Sequence, residues 1–139
     1  MKRWFEDHNN TTVTIDNIEG TIDTFLIDKF VPHTTEYYVS CTTTRDTDVI
    51  RFSVMGGMDI EEHRDDMMTL SIGVNDILSR EDIITTFTIT DETVIEFMLQ
   101  FFCFFREYGF VYLETNPFVV QEDGTIVCLD MVAKVDDCE

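Results

Sequence analysis

YLETNPFVVQEDGTIVCLD, residues 112–130, decides the fold. Its two halves are rich in β-branched and aromatic residues and flank Glu122-Asp123-Gly124. A three-residue loop with glycine in the last, left-handed position is a common hairpin connection. Such a loop centres the pairing on residue 123, so partner numbers add to twice 123, and Asn116 faces Asp130. Directly opposed Cβ atoms lie roughly 4.5–5.5 Å apart on one face. Glu114, two residues before Asn116, shares that face. Three oxygen-bearing side chains are costly on a sheet face that is buried and leaves them unpaired. A hard cation resolves the cost. Mg²⁺ takes one or two protein oxygens and completes its octahedron with waters and substrate phosphates. A solvated outer face is the other reading of the same spacing, and both stay open at this point.

Outward from this stretch, the composition sets bounds. A chain of 139 residues is one domain or part of one. A hydrophobic fraction of 44%, with 12 Phe, is enough to build a core and argues against disorder. The formal charge is −19, from 28 acidic against 9 basic residues. Such a field repels phosphate, which argues against direct binding to nucleic acid or an anionic membrane. Cys41, Cys103, Cys128 and Cys138 form no C-x-x-C pair and no zinc spacing with histidine. They read as free thiols in a reducing compartment. MKRWFEDHNN lacks the apolar core of a signal peptide. The apolar run around FFCFF, broken by Gln100, is too short to span a bilayer. A cytoplasmic location is expected.

Residues 2–8 read as the end of a helix. TIDTFLIDKFVPH reads as a strand closed by Pro32. EYYVSCTTTRDTDVIRFSVMGG reads as a hairpin turning at RDTD, its second strand stopped by Gly56-Gly57. DIEEHRDD is a polar connection and MTLSIGV a further strand. Ser79 with Asp82 three residues on has the form of a capping box. DETVIEFMLQFFCFFRE, residues 91–107, is the clearest helix, with Asp91 as its cap and Gly109 placed to end it. Its apolar positions cover nearly the whole circumference, which predicts burial on more than one side. It is also a candidate dimer face, given so much Phe in a small domain. Strands, two helices and strands in that order predict an α+β fold, a mostly antiparallel sheet covered by helices.

The motifs then resemble a known family. YLETNPFVV followed by DGTIVCLDMVAKVDD is similar to the end of the ATP-grasp domain of ATP-citrate lyase and of succinyl-CoA synthetase β chains. That family runs E-x-N-P-L/F, a turn, then LDL/M. FLIDKFVPHTTEYYVS resembles its hinge segment and GGMDIEE its GG-V-D-I-E-E. GVNDILSREDI and FVPH favour the citrate lyase branch. The resemblance covers essentially the whole chain. It implies the C-terminal half of an ATP-grasp domain over residues 1–139, with ATP or ADP and Mg²⁺ as ligands. By position, the adenine hinge would be Asp28, Lys29, Phe30 and Val31, the ribose residue Glu36, and the metal ligands Asn116 and Asp130. Asp28 and Lys29 stand where the family usually has Glu and Pro, and Met55 where it often has Glu. The resemblance places the phosphate-gripping half before residue 1 and the citrate- and CoA-handling parts after residue 139. The isolated chain is accordingly expected to bind Mg-nucleotide weakly and to turn over little. His8, His33 and His63 fall in the wrong segments to be the family's phosphorylated His. Two other readings stay open: a succinyl-CoA synthetase β-type fragment, and a stand-alone or engineered scaffold that has lost nucleotide binding.

Overall fold

The computed structural model describes residues 2–57, 60 and 67–136. The chain divides into two units, residues 1–31 and 32–139. In the first, helix α1 (Lys2–His8) is followed by a hairpin of β1 (Thr12–Ile15) and β2 (Ile18–Thr21), paired from Thr12↔Thr21 to Ile15↔Ile18. Asp16 and Asn17 form its turn with φ of 50° and 64°, the left-handed geometry that matches strand twist in a two-residue loop. Phe25 meets Trp4 and Phe5 edge-on at ring separations of 5.6 and 4.7 Å.

The strand expected over TIDTFLIDKFVPH is not there. Only Thr21 lies in a ladder, and residues 22–31 run without one. A strand needs a partner, and past Ile22, which still exchanges backbone hydrogen bonds with Asn10 and Thr11, no ladder among the described residues takes in this stretch. Leu26, Ile27 and Phe30 are left outward, Leu26 with 98% of its surface exposed.

The second unit holds the antiparallel sheet. Its strands are β3 (Tyr37–Thr43), β4 (Thr47–Ser53), β5 (Met68–Gly73), β6 (Phe110–Val120), β7 (Ile126–Cys128) and β8 (Met131–Val135). Their order is β5-β4-β3-β6-β7, with β8 also on β6. Helices α2 (Arg80–Phe87) and α3 (Glu92–Glu107) cover one face. With α1 this makes three helices among the described residues. The polar connection DIEEHRDD lies, apart from Ile60, outside the described residues.

Both covering helices start as their sequences require. Ser79 and Asp82 close a reciprocal capping box, and the Asp91 carboxylate accepts from Thr93 N–H and Val94 N–H. Gly109, at φ 64°, ends α3 in the left-handed conformation that glycine adopts without steric cost. The core lies between α3 and the sheet, where Phe52, Phe105 and Phe118 are almost fully buried. On α3 the buried residues are Val94, Ile95, Met98, Phe101, Phe102 and Phe105, spaced as a single stripe. Burial on more than one side is therefore not what forms. Cys103 and Phe104 are exposed, and Phe104 packs with Tyr108 and Phe110 at 4.7 and 5.3 Å. Arg106 ties the layers together. Its Nε donates to Asp48 Oδ2 at 2.8 Å and its Nη2 to Gly73 O at 2.9 Å, while its guanidinium carbon lies 4.5 Å from the centroid of the Phe102 ring.

Candidate functional site

The site is built on the long hairpin. Gly124 takes φ 81°, and the loop closes through Gln121 N–H to Thr125 O and Gly124 N–H to Gln121 O, both 2.9 Å. The pairs Val120↔Ile126, Val119↔Val127 and Phe118↔Cys128 follow the register centred on residue 123. The same register resumes in β8 with Thr115↔Met131, Glu114↔Val132, Leu113↔Ala133 and Tyr112↔Lys134. Between the two, Asn116 N–H donates to Asp130 O at 3.1 Å and Leu129 N–H to Pro117 O at 2.9 Å.

The sheet changes sides at this point. The β3–β6 register shifts between Tyr37 and Val39. Before the shift Leu113 enters the helix-side core; after it Phe118 does, with Cys128 beside it on the returning arm. A bulge that swaps the two faces in this way turns polar side chains outward without breaking the core. By alternation with Leu113, Tyr112 and Glu114 occupy the face away from the helices.

Glu114 is not left bare there. Tyr38 Oη donates to its Oε2 at 2.7 Å, and Tyr112 Oη makes a second, short bond to the same oxygen. Burial pushes the Tyr38 phenol up from its ordinary value, and the Glu114 carboxylate adds to that. Burial, then hydrogen bonding to Glu114, raises Tyr112 as well. Both phenols are therefore protonated donors at neutral pH. Lys134 Nζ stands 5.5 Å over the Tyr112 ring.

Asn116 is joined to Gly57. Its Oδ1 accepts from Gly57 N–H at 2.7 Å, and its Nδ2 donates to Gly57 O at 3.3 Å. Gly57 has φ 75°, and a Cβ there would stand 2.4 Å from Glu36 Oε2. Glu36 in turn meets His33 Nε2 at 2.9 Å. Residues 33–36 and 54–56 line an open cleft of about 460 Å³. The structure thus brings Glu36 and Asn116 to one glycine and sets Asp130 beside Asn116 across the hairpin. Asp130 is exposed. Asp28, Lys29, Phe30 and Val31 belong to the first unit, where Lys29 N–H donates to Asp28 Oδ1 at 2.6 Å.

No group of three or more His, Cys, Asp or Glu among the described residues is arranged to hold a metal. A hard ion that takes most of its ligands from phosphate and water does not need such a group. Asn116 Oδ1 keeps a second lone pair beyond the one Gly57 uses, and the Asp130 carboxylate is an anionic oxygen donor. The donor chemistry fits Mg²⁺ carried with a phosphate ligand. Gly57, Tyr38 and Tyr112 were not singled out by sequence. The glycine pair read as a strand stop and as part of the GGMDIEE motif, and the tyrosines as members of family-like segments, none with a site role. Their partners lie 59 and 76 residues away for Gly57 and Tyr38, beyond any local pattern.

Comparison with known proteins places this geometry in context. A family model described as the ATP-citrate synthase ATP-grasp domain matches residues 1–139. ATP-citrate synthase of Bos taurus is 35% identical over 143 residues, covering 98% of this chain and 13% of that protein. ATP-citrate synthase alpha chain protein 1 of Arabidopsis thaliana is 34% identical, over 90% of this chain and 30% of its own length. The chain therefore spans only a small part of the relatives it matches. The ATP citrate lyase structure from Methanothrix soehngenii, solved in complex with citrate and coenzyme A, superposes with a TM-score of 0.73 at 31% identity. It covers 98% of this chain and 32% of that one.

Proposed function

The chain belongs to the ATP-citrate synthase ATP-grasp family, and from that premise we propose that it is the C-terminal half of such a domain and binds Mg-ATP or Mg-ADP. The parent reaction is then cleavage of citrate by ATP and CoA to acetyl-CoA, oxaloacetate, ADP and phosphate. In this reading Asn116 and Asp130 hold the magnesium ion, Glu36 meets the ribose, and the backbone of Asp28, Lys29, Phe30 and Val31 meets the adenine. The observation that carries it is the pairing of Asn116 with Asp130 across the hairpin, with Glu36 linked to Asn116 through Gly57. Magnesium, when bound, would neutralise charge on the phosphates; the protein's own part is positioning and charge complementarity.

This chain supplies few cations of its own, having nine Lys and Arg in all. Phosphate gripping therefore falls to another part of the enzyme, and the chain alone binds nucleotide weakly and turns over little. The free thiols at Cys41, Cys103 and Cys128 support a cytoplasmic setting. No helix among the described residues is long and apolar enough to cross a membrane.

Calorimetric titration with ADP, with and without Mg²⁺, on this chain and on Asp130→Ala tests the reading. Magnesium-dependent binding that disappears in the variant is expected. Absence of heat at millimolar ADP, or a variant that binds as the unaltered chain does, would leave a scaffold without a nucleotide site.

A further inference from the structure

Gly57 offers both polar groups of its backbone to one side chain. Its N–H donates to Asn116 Oδ1 at 2.7 Å and its carbonyl accepts from Asn116 Nδ2 at 3.3 Å. A donor and an acceptor fixed on the same residue admit one orientation of the carboxamide. Reversing it sets oxygen against oxygen and N–H against N–H. The turn itself has little freedom to yield. A Cβ on Gly57 would stand 2.4 Å from Glu36 Oε2, so that carboxylate lies against its Cα hydrogens. Gly56 is closed in as well: a Cβ there would come within 2.8 Å of Tyr37 O and 2.9 Å of Pro117 Cβ. The peptide that reads Asn116 is therefore held from the β3 side and from the β6 side at once.

We propose that Gly57 is a positioning residue that requires an amide rather than a carboxylate at position 116, and that it keeps the pair of residues 116 and 130 to a single formal negative charge, that of Asp130. An aspartate at 116 has nearly the same shape but nothing to donate. One of its oxygens would face the Gly57 carbonyl, an arrangement that leaves two acceptors opposed. The second half of the proposal rests on the reading of Asn116 and Asp130 as the magnesium pair. Affinity for a hard divalent ion rises with the number of charged ligands. One neutral and one anionic oxygen leave the ion dependent on phosphate, so the metal enters with the nucleotide rather than ahead of it.

Asn116→Asp and Asn116→Ala test this. Thermal unfolding at neutral pH is measured in 0.5 M NaCl, where the Debye length is roughly 4 Å and the added charge is screened from charges well beyond that distance. The unaltered chain should unfold highest, Asn116→Ala next and Asn116→Asp lowest, the last by about 4 °C or more below the unaltered chain. A carboxylate variant that fails to fold while the alanine variant folds gives the same order. An aspartate variant as stable as the alanine variant, or more so, overturns the requirement for an amide. Titration of Mg²⁺ alone and of ADP with and without Mg²⁺ supplies the second measurement. Mg²⁺ alone should bind Asn116→Asp about tenfold or more tightly than the unaltered chain, because a second charged ligand frees the ion from its dependence on phosphate. Binding of Mg²⁺ alone to the variant no tighter than to the unaltered chain, or tight binding of Mg²⁺ alone to the unaltered chain, overturns the charge argument. If the unaltered chain shows no magnesium-dependent ADP binding, the reading of the site fails, while the order of unfolding still decides the role of Gly57.

Discussion

At the scale of single residues, Cys41 illustrates how burial sets chemistry. It sits on β3 with 1% of its surface exposed. Burial pushes its thiol well above the ordinary 9.0, with the Asp48 charge acting in the same direction. A group whose folded pKa is raised stabilises the fold fully below its unfolded pKa, and that contribution is lost as pH climbs above it. Stability should accordingly fall between pH 8 and pH 10.5, and Cys41→Ala should flatten part of that fall in urea unfolding curves. Alkylation at pH 8, mapped by mass spectrometry, should label exposed Cys103 in the native state and Cys41 only after unfolding. Labelling of both at equal rates would contradict the buried thiol. Glu114 shows the reverse case, a polar side chain made tolerable by two phenol donors on the same oxygen.

At the scale of elements, the features legible in the sequence are those whose physics is local. The Asp91 cap, the Ser79–Asp82 box and the glycine of the 122–124 loop each satisfy backbone groups within a few residues of themselves. The register of the long hairpin followed from that one loop, and it carried Asn116 opposite Asp130. Features that depend on distant partners were not legible. The apolar run at 22–31 carries strand composition yet has no ladder, and the β1–β2 hairpin turning at Asp16-Asn17 was not foreseen. The union of Gly57 with Asn116 spans 59 residues, and nothing near either residue announces it. Local capping also makes the clearest element-scale prediction. Asp91→Ala removes the acceptor for Thr93 N–H and Val94 N–H. It should cost about 1 kcal/mol in chemical denaturation, with the slope unchanged. A loss below a few tenths would mean that water satisfies those groups as well.

At the scale of the whole molecule, two opposing surface properties compete. A net charge of −19 drives copies apart. Exposed apolar side chains such as Phe104 at 41% and Tyr108 at 60% favour covering. Salt screens the first and not the second. Sedimentation across a concentration series should show a monomer at 20 mM NaCl and association at 0.5 M. A strict monomer at both would rule out the Phe-rich helix as a dimer face.

The adjacency of β3 and β6 at the centre of the sheet also governs how the chain acquires its shape during synthesis. β3, β4 and β5 are complete as a meander by Gly73, whereas β6 begins only at Phe110. Until Val120 has emerged, the β3 edge shows unpaired N–H and C=O groups, a template for any other extended chain. At translation rates of roughly 5–20 residues per second, that exposure lasts on the order of seconds. Crowded ribosomes making this chain would bring several such edges together, and early release before β6 would leave the edge open for good.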